Sequence, residues 1–147
     1  MSKGVAIVLG VLAGGLVGLQ APINSRLGKS IGTVQAATFS FLVGTAVLLV
    51  IAAFARGGWG NLGHVGRAPA WALVGGLLGA VYVSVALVAV RTLGAGGLTA
   101  VVIAGQLAIS VVIDRFGLLG LAKIPISAER IIGLVLLAVG AALVVRK

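Results

Sequence analysis

Residues 34–55 read VQAATFSFLVGTAVLLVIAAFA, an unbroken run with no charged side chain. As an α-helix rising 1.5 Å per residue it would extend about 33 Å, the thickness of a bilayer's hydrocarbon core. The apolar residues are continuous rather than alternating with period two, which argues for a helix and against a strand of a membrane β-barrel. A segment of this length and character belongs in lipid.

Four further stretches have the same character: 4–23, 70–90, 96–113 and 128–145. Lys, Arg, Asp and Glu are missing from the first three, and in the last Glu129 and Arg130 sit in the opening turn. Structure-breaking residues fall between the runs: Gly28 and Gly32, Gly57-Gly58 to Pro69, Gly94 to Gly97, and Gly117 to Pro125. Ser127 ahead of Ala128, with Glu129 behind it, predicts an N-cap for the fifth helix. Lys3 before an apolar run has the form of a signal peptide, but four more runs follow, so 4–23 reads as an uncleaved first span. The pattern predicts an all-α integral membrane protein with five transmembrane helices in a single domain over residues 1–147.

Composition closes off the alternatives. Of 147 residues 61% are hydrophobic and only 9% are charged, against roughly 25% charged in soluble domains. A mean hydropathy of +1.28 excludes disorder, which needs polar sequence. The net charge of +9 would suggest nucleic acid in a soluble protein. Here the basic residues lie between or beside apolar runs, where they anchor helix ends at the bilayer surface, so no nucleic-acid partner is expected. With no cysteine, neither a disulfide framework nor a thiol nucleophile is possible. No Ser/His/Asp set, metal-ligand cluster or phosphate loop occurs at a useful spacing, so the sequence predicts neither an enzyme nor a cofactor or metal.

Small residues recur four apart on every span. Gly10, Gly14 and Gly18 form the most distinctive stripe; Ala36, Ser40 and Gly44, then Gly76, Ala80 and Ser84, then Ala100, Ala104 and Ala108, then Ala138 and Ala142 form the others. Helices in lipid associate by close van der Waals approach, and small residues at this spacing permit it. The glycine stripe therefore predicts tight packing of the first helix, within the protomer or against a partner.

Five spans place the termini on opposite sides. Lys3, Arg56, Arg67, Arg115, Lys123 and Arg130 would lie on the N-terminal side, and Arg26, Lys29, Arg91, Arg146 and Lys147 on the other. Orientation follows an excess of Lys and Arg in cytoplasmic loops, and this distribution has none. One reading is insertion in both orientations and head-to-tail pairing with a second copy; the other is a fixed orientation set by the flanks of the first helix.

Polar side chains inside the spans need an explanation, because each costs free energy until it finds a partner. Gln106 falls near the middle of the fourth span and Tyr82 near the middle of the third. Gln20 and Asn24 flank Pro22, which is expected to kink or break the first helix and expose carbonyls beside them. Such irregular polar patches line cavities. Gln106 reads equally as interhelical glue or as a cavity contact. Asp114 and Glu129 are the only carboxylates, both at span ends. Asp114 beside Arg115 reads as an interfacial pair or as a gating or coupling element. Trp71, opening the third span, reads as an interfacial belt residue.

The segments Gly18-Leu19-Gln20 to Asn24-Ser25-Arg26-Leu27-Gly28 and Ser40-Phe41-Leu42-Val43-Gly44-Thr45 carry a family likeness. So do Gly79-Ala80-Val81-Tyr82-Val83, Ala104-Gly105-Gln106-Leu107 and Ile113-Asp114-Arg115-Phe116-Gly117-Leu118-Leu119-Gly120. In this order they resemble the YdcZ-type family of the drug/metabolite transporter superfamily. The resemblance implies a five-helix half-transporter of the bacterial inner membrane, related to ten-helix members whose halves are inverted repeats. It is also similar in logic to the four-helix small multidrug resistance proteins, which form antiparallel dimers. The sequence departs from those in having no acidic residue inside the first span, so no proton-exchanging carboxylate carries over.

These readings together predict a secondary transporter, an exporter of small metabolites or drug-like compounds. It would work by alternating access as an antiparallel homodimer, a ten-helix inverted-repeat assembly. Gln106, Tyr82, Gln20 and Asn24 would supply the polar contacts to substrate. The alternative is a non-transporting membrane subunit or scaffold packed onto a larger partner.

Overall fold

The computed structural model describes residues 1–56 and 58–146; Gly57 and Lys147, assigned above to a connection and to the basic count, lie outside the described residues. Among those residues the regular structure is helical, with no strand. Four α-helices carry it: α1 (Lys3–Ile31), α2 (Thr33–Phe54), α3 (Gly75–Phe116) and α4 (Ala128–Val145). Two 3-10 segments, Gly58–Arg67 and Ala70–Val74, connect α2 to α3.

The third and fourth expected spans are covered by one helical stretch. From Ala70 to Phe116 it counts 47 residues, which at about 1.5 Å each is roughly twice the hydrocarbon thickness. The dihedrals of Gly94 (φ 72, ψ 170) interrupt α3, a backbone conformation that glycine reaches without the Cβ clash that other residues meet. Two spans therefore occupy α3, one on each side of Gly94, and five fit the chain. The fifth helix covers Ala128–Val145 as expected, and Ser127 Oγ accepts from the Arg130 amide as its cap.

The expected break of the first helix at Pro22 does not occur. The helix neither stops near residue 23 nor breaks, but runs through Pro22 to Ile31. A proline removes one N–H and crowds the carbonyl four residues back, here that of Gly18. The loss is one rung, while the following turns keep their hydrogen bonds and pack on α2. The reversal falls instead at Gly32 (φ 96, ψ 151), which alone separates α1 from α2.

The chain divides into two compact units, Met1–Arg91 and Thr92–Lys147. In the first, Ala36, Ala37, Val83 and Leu87 form a buried cluster, with Leu27 and Tyr82 packed against it. Phe41 seats its ring on Gly79, where an added Cβ would lie 3.3 Å from Cζ. Large apolar side chains such as Leu12, Leu48 and Leu136 are exposed, while five of the nine buried apolar residues among those described are alanines: Ala21, Ala36, Ala37, Ala86 and Ala141. That inversion of the soluble pattern is what a lipid solvent permits, since tails are as apolar as leucine.

In the second unit Gly97 packs against Val145, and the other end of the helix pair is closed by Asp114 and Arg130. The Asp114 carbonyl also accepts the Ile124 amide, at 2.9 Å, which folds the connection back onto α3.

Candidate functional site

The single-residue turn at Gly32 makes α1 and α2 a hairpin, so residues equally far from Gly32 on either side meet. Gly28 faces Ala36, where a Cβ on Gly28 would lie 3.6 Å from that of Ala36. Asn24 faces Ser40, and its Nδ2 donates to Ser40 Oγ at 2.9 Å. One step further, Gln20 and Gly44 line the same cavity of about 200 Å³, together with Ser40, Phe41, Thr45 and Leu48. The spacing of four is the helical repeat that keeps Gln20, Asn24 and Gly28 on one face of α1.

The polar residues anticipated from the sequence fare differently here. Asn24 is only 6% exposed, and the Ser40 hydroxyl meets part of the cost of burying its amide. Gln20 is exposed and lines the cavity. Tyr82 is half-buried against the Ala36–Leu87 cluster. Gln106 lies in the second unit, exposed on α3 beyond Gly94. A second cavity in the first unit, about 340 Å³, is lined by Thr38, Phe41, Thr45, Ala80 and Ser84 among others. The Thr38 hydroxyl already donates to the Val34 carbonyl. Phe41 and Thr45 border both cavities.

Three residues to which the sequence assigns no part in the site form the densest polar contact. Arg91 Nε donates to Ser25 Oγ at 3.2 Å, and Arg91 Nη2 donates to Thr33 Oγ1 at 3.3 Å. Ser25 in turn donates its own proton to the Leu87 carbonyl at 3.1 Å. The guanidinium lies over Gly28, where a Cβ would stand 3.0 Å from Nη2. From the sequence Arg91 reads only as one of the basic residues flanking the spans. The usable signal was the mirror relation about Gly32, which puts Ser25 and Thr33 at the same end of the hairpin.

Asp114 pairs with Arg130, at 3.0 Å, rather than with the neighbouring Arg115, which is exposed. Adjacent helical residues point away from each other, so Asp114 reaches across to the next helix instead. On the first helix, a Cβ at Gly10 or at Gly14 would meet no atom within 4 Å. That part of the stripe is open in the single chain.

These features are an apolar multi-helix chain, a small cavity on the α1–α2 hairpin that is mainly apolar and bordered by Gln20, Ser40 and Thr45, and an uncovered small-residue stripe. A sequence profile for the family described as "Putative inner membrane exporter, YdcZ" matches residues 5–143. The chain belongs to this family. It is accordingly a multi-pass integral protein of the inner membrane and a transporter of the export type rather than an enzyme. Five spans fit a half-size member. No curated protein and no solved structure matches the chain. In this YdcZ-family chain the two motif blocks around Asn24 and Ser40 are in direct contact through their side chains, and Phe41 joins the second of them to the block at Gly79.

Proposed function

We propose that the protein is a secondary exporter of small metabolites or drug-like compounds, working by alternating access in an antiparallel homodimer. The observation that carries the reading is the cavity bordered by Gln20, Ser40 and Thr45, with Asn24 bonded to Ser40. Its volume of about 200 Å³ is below the roughly 300–1,000 Å³ of complete small-molecule sites. A half-site of this size suits a binding chamber completed by a second copy. Gln20 supplies an amide to substrate from α1, Asn24 holds the Ser40 hydroxyl from behind, and Tyr82 and Gln106 contribute from α3. Two copies in opposite orientation would reproduce within one dimer the inverted repeats of larger transporters. The open stripe of Gly10 and Gly14, continued by Gly18, supplies a surface on which the first helices of two copies approach closely.

The test is a ligand-stabilisation screen on purified protein, followed by export of the hits from loaded proteoliposomes. Compounds that raise thermal stability and leave the vesicles faster than from protein-free liposomes support the reading. A protein that moves none of its stabilising ligands, and co-purifies with a larger membrane partner, is the scaffold of the alternative.

A further inference from the structure

We propose that Arg91, held against α1 and α2 by Ser25 and Thr33, forms a binding site for an oxyanion, a phosphate or a carboxylate. The proposal stands apart from what the chain exports.

Arginine carries five N–H donors and no acceptor. Two are spent, one from Nε on Ser25 and one from Nη2 on Thr33. The pair of hydroxyls occupies one edge of the guanidinium. Both Nη1 donors and the second Nη2 donor remain, and one from each nitrogen forms the outer edge, a planar fork whose spacing matches two oxygens of a carboxylate or phosphate. The orientation of this fork is fixed from behind. Ser25 is 5% exposed and gives its proton to the Leu87 carbonyl, so its lone pairs are turned toward Nε. Leu87 is one helical turn before Arg91, so Ser25 bridges the carbonyl and the side chain of the same turn of α3. Gly28 leaves the space in which the guanidinium lies.

Both spent donors go to neutral hydroxyls, which leave the positive charge uncompensated. No carboxylate of this unit can answer it, because residues 1–91 contain neither Asp nor Glu. Among the described residues, the one ion pair is Asp114 with Arg130. Arg26 and Lys29, exposed on the last turns of α1, raise the positive potential at the same end of the hairpin. A preoriented fork with unmet charge, at a span end where lipid phosphates lie, calls for an anion from outside the unit. A lipid headgroup and a soluble phosphate or carboxylate share that chemistry.

The test uses the full chain purified in neutral detergent. Inorganic phosphate is titrated calorimetrically against chloride at matched ionic strength, and phosphatidylglycerol against phosphatidylcholine by native mass spectrometry. Binding of phosphate points to a soluble source, and selective retention of phosphatidylglycerol alone to a headgroup; either supports the site. Arg91→Gln should weaken the bound probe by roughly tenfold or more, as for a lost charge-assisted contact. Arg91→Lys keeps the charge without the fork and should weaken it several-fold, while Arg26→Gln removes equal charge and should change it by less than about twofold. Should Arg91→Gln fail to fold, Arg91→Lys and the wild type carry the test. Failure of the wild type to bind either probe, or an Arg91 variant that binds as wild type does, overturns the proposal.

Discussion

The Asp114 carboxylate and the Arg130 guanidinium stand 3.0 Å apart, tying the last turn of the fourth span to the first turn of the fifth. Both side chains are about one-third exposed, so water and headgroups screen the pair. Exposed pairs contribute about 0.2–1 kcal/mol, and this one should fall near the top of that range. Asp114→Asn and Arg130→Gln should each lower the thermal midpoint slightly, and the double variant by less than the sum of the two. Arg115→Gln should leave it unchanged. Export that collapses in Asp114→Asn at unaltered stability would instead assign Asp114 a gating or coupling role.

The bond between Asn24 and Ser40 is a stronger case, because Asn24 is buried. Ser40→Ala takes away the partner and leaves the amide in an apolar interface, at a cost of about 1–3 kcal/mol. Asn24→Ala removes the amide as well, so adding Ser40→Ala to it should cost little more. A double-mutant cycle in detergent, read by thermal or denaturant unfolding, checks this. Additive losses would mean that the two side chains do not depend on each other.

Much of this arrangement could be read from residue order, and the exceptions share a cause. The fifth helix matched its expected bounds because Ser127 caps it and the apolar run ends with it. The first helix overran its expected end by two turns, since hydropathy marks where lipid ends and not where the helix ends. Residues 24–31 are polar enough to resemble a loop, but they are helical and pack on α2. Ser25 and Arg91 lie 66 positions apart, a separation no local pattern reports. Gln20 could be placed at a cavity because polar residues inside a span are few. Its neighbours Ser40 and Gly44 follow from the hairpin at Gly32, a turn that Gly28 and Gly32 together had left ambiguous.

Orientation supplies a third expectation. The basic residues divide almost evenly between the two sides, so reporters fused after the C-terminus should detect cytoplasmic and external populations together. A few added Lys residues in one connection, such as Leu118–Ile126, should collapse them to a single orientation. A wild type confined to one orientation would defeat dual insertion and leave export untouched.

The glycine stripe gives a direct test of assembly, helped by the lack of any native cysteine. In an antiparallel pair joined along the first helix, midspan positions meet their own copies and end positions meet opposite ends. Gly14→Cys should therefore form a disulfide with its counterpart, whereas Gly4→Cys should not. Cross-linking at Gly4 would signal a parallel pair. Gly14→Leu should reduce the dimer fraction by separating the backbones, because a side chain there meets nothing in its own chain. An unchanged dimer would place the stripe against lipid.

The last expectation concerns Gln106, whose exposure on α3 sharpens the choice between glue and cavity. Its amide offers two donors and an acceptor oxygen, and at midspan depth an unmet amide costs several kcal/mol. If a helix of the second copy meets that demand, Gln106→Leu should lower both the dimer fraction and the stability. If water and substrate meet it, the same change should spare stability or raise it, while export falls roughly tenfold for each 1.4 kcal/mol of lost contact. Tyr82→Phe is the companion, since it removes one hydroxyl and keeps the ring packed on the buried cluster of Ala36, Ala37, Val83 and Leu87. Under the cavity reading both variants lose export at preserved stability. Stable variants of Gln106 and Tyr82 that export at the wild-type rate would remove both residues from the site and leave Gln20, Ser40 and Thr45 as its polar contacts.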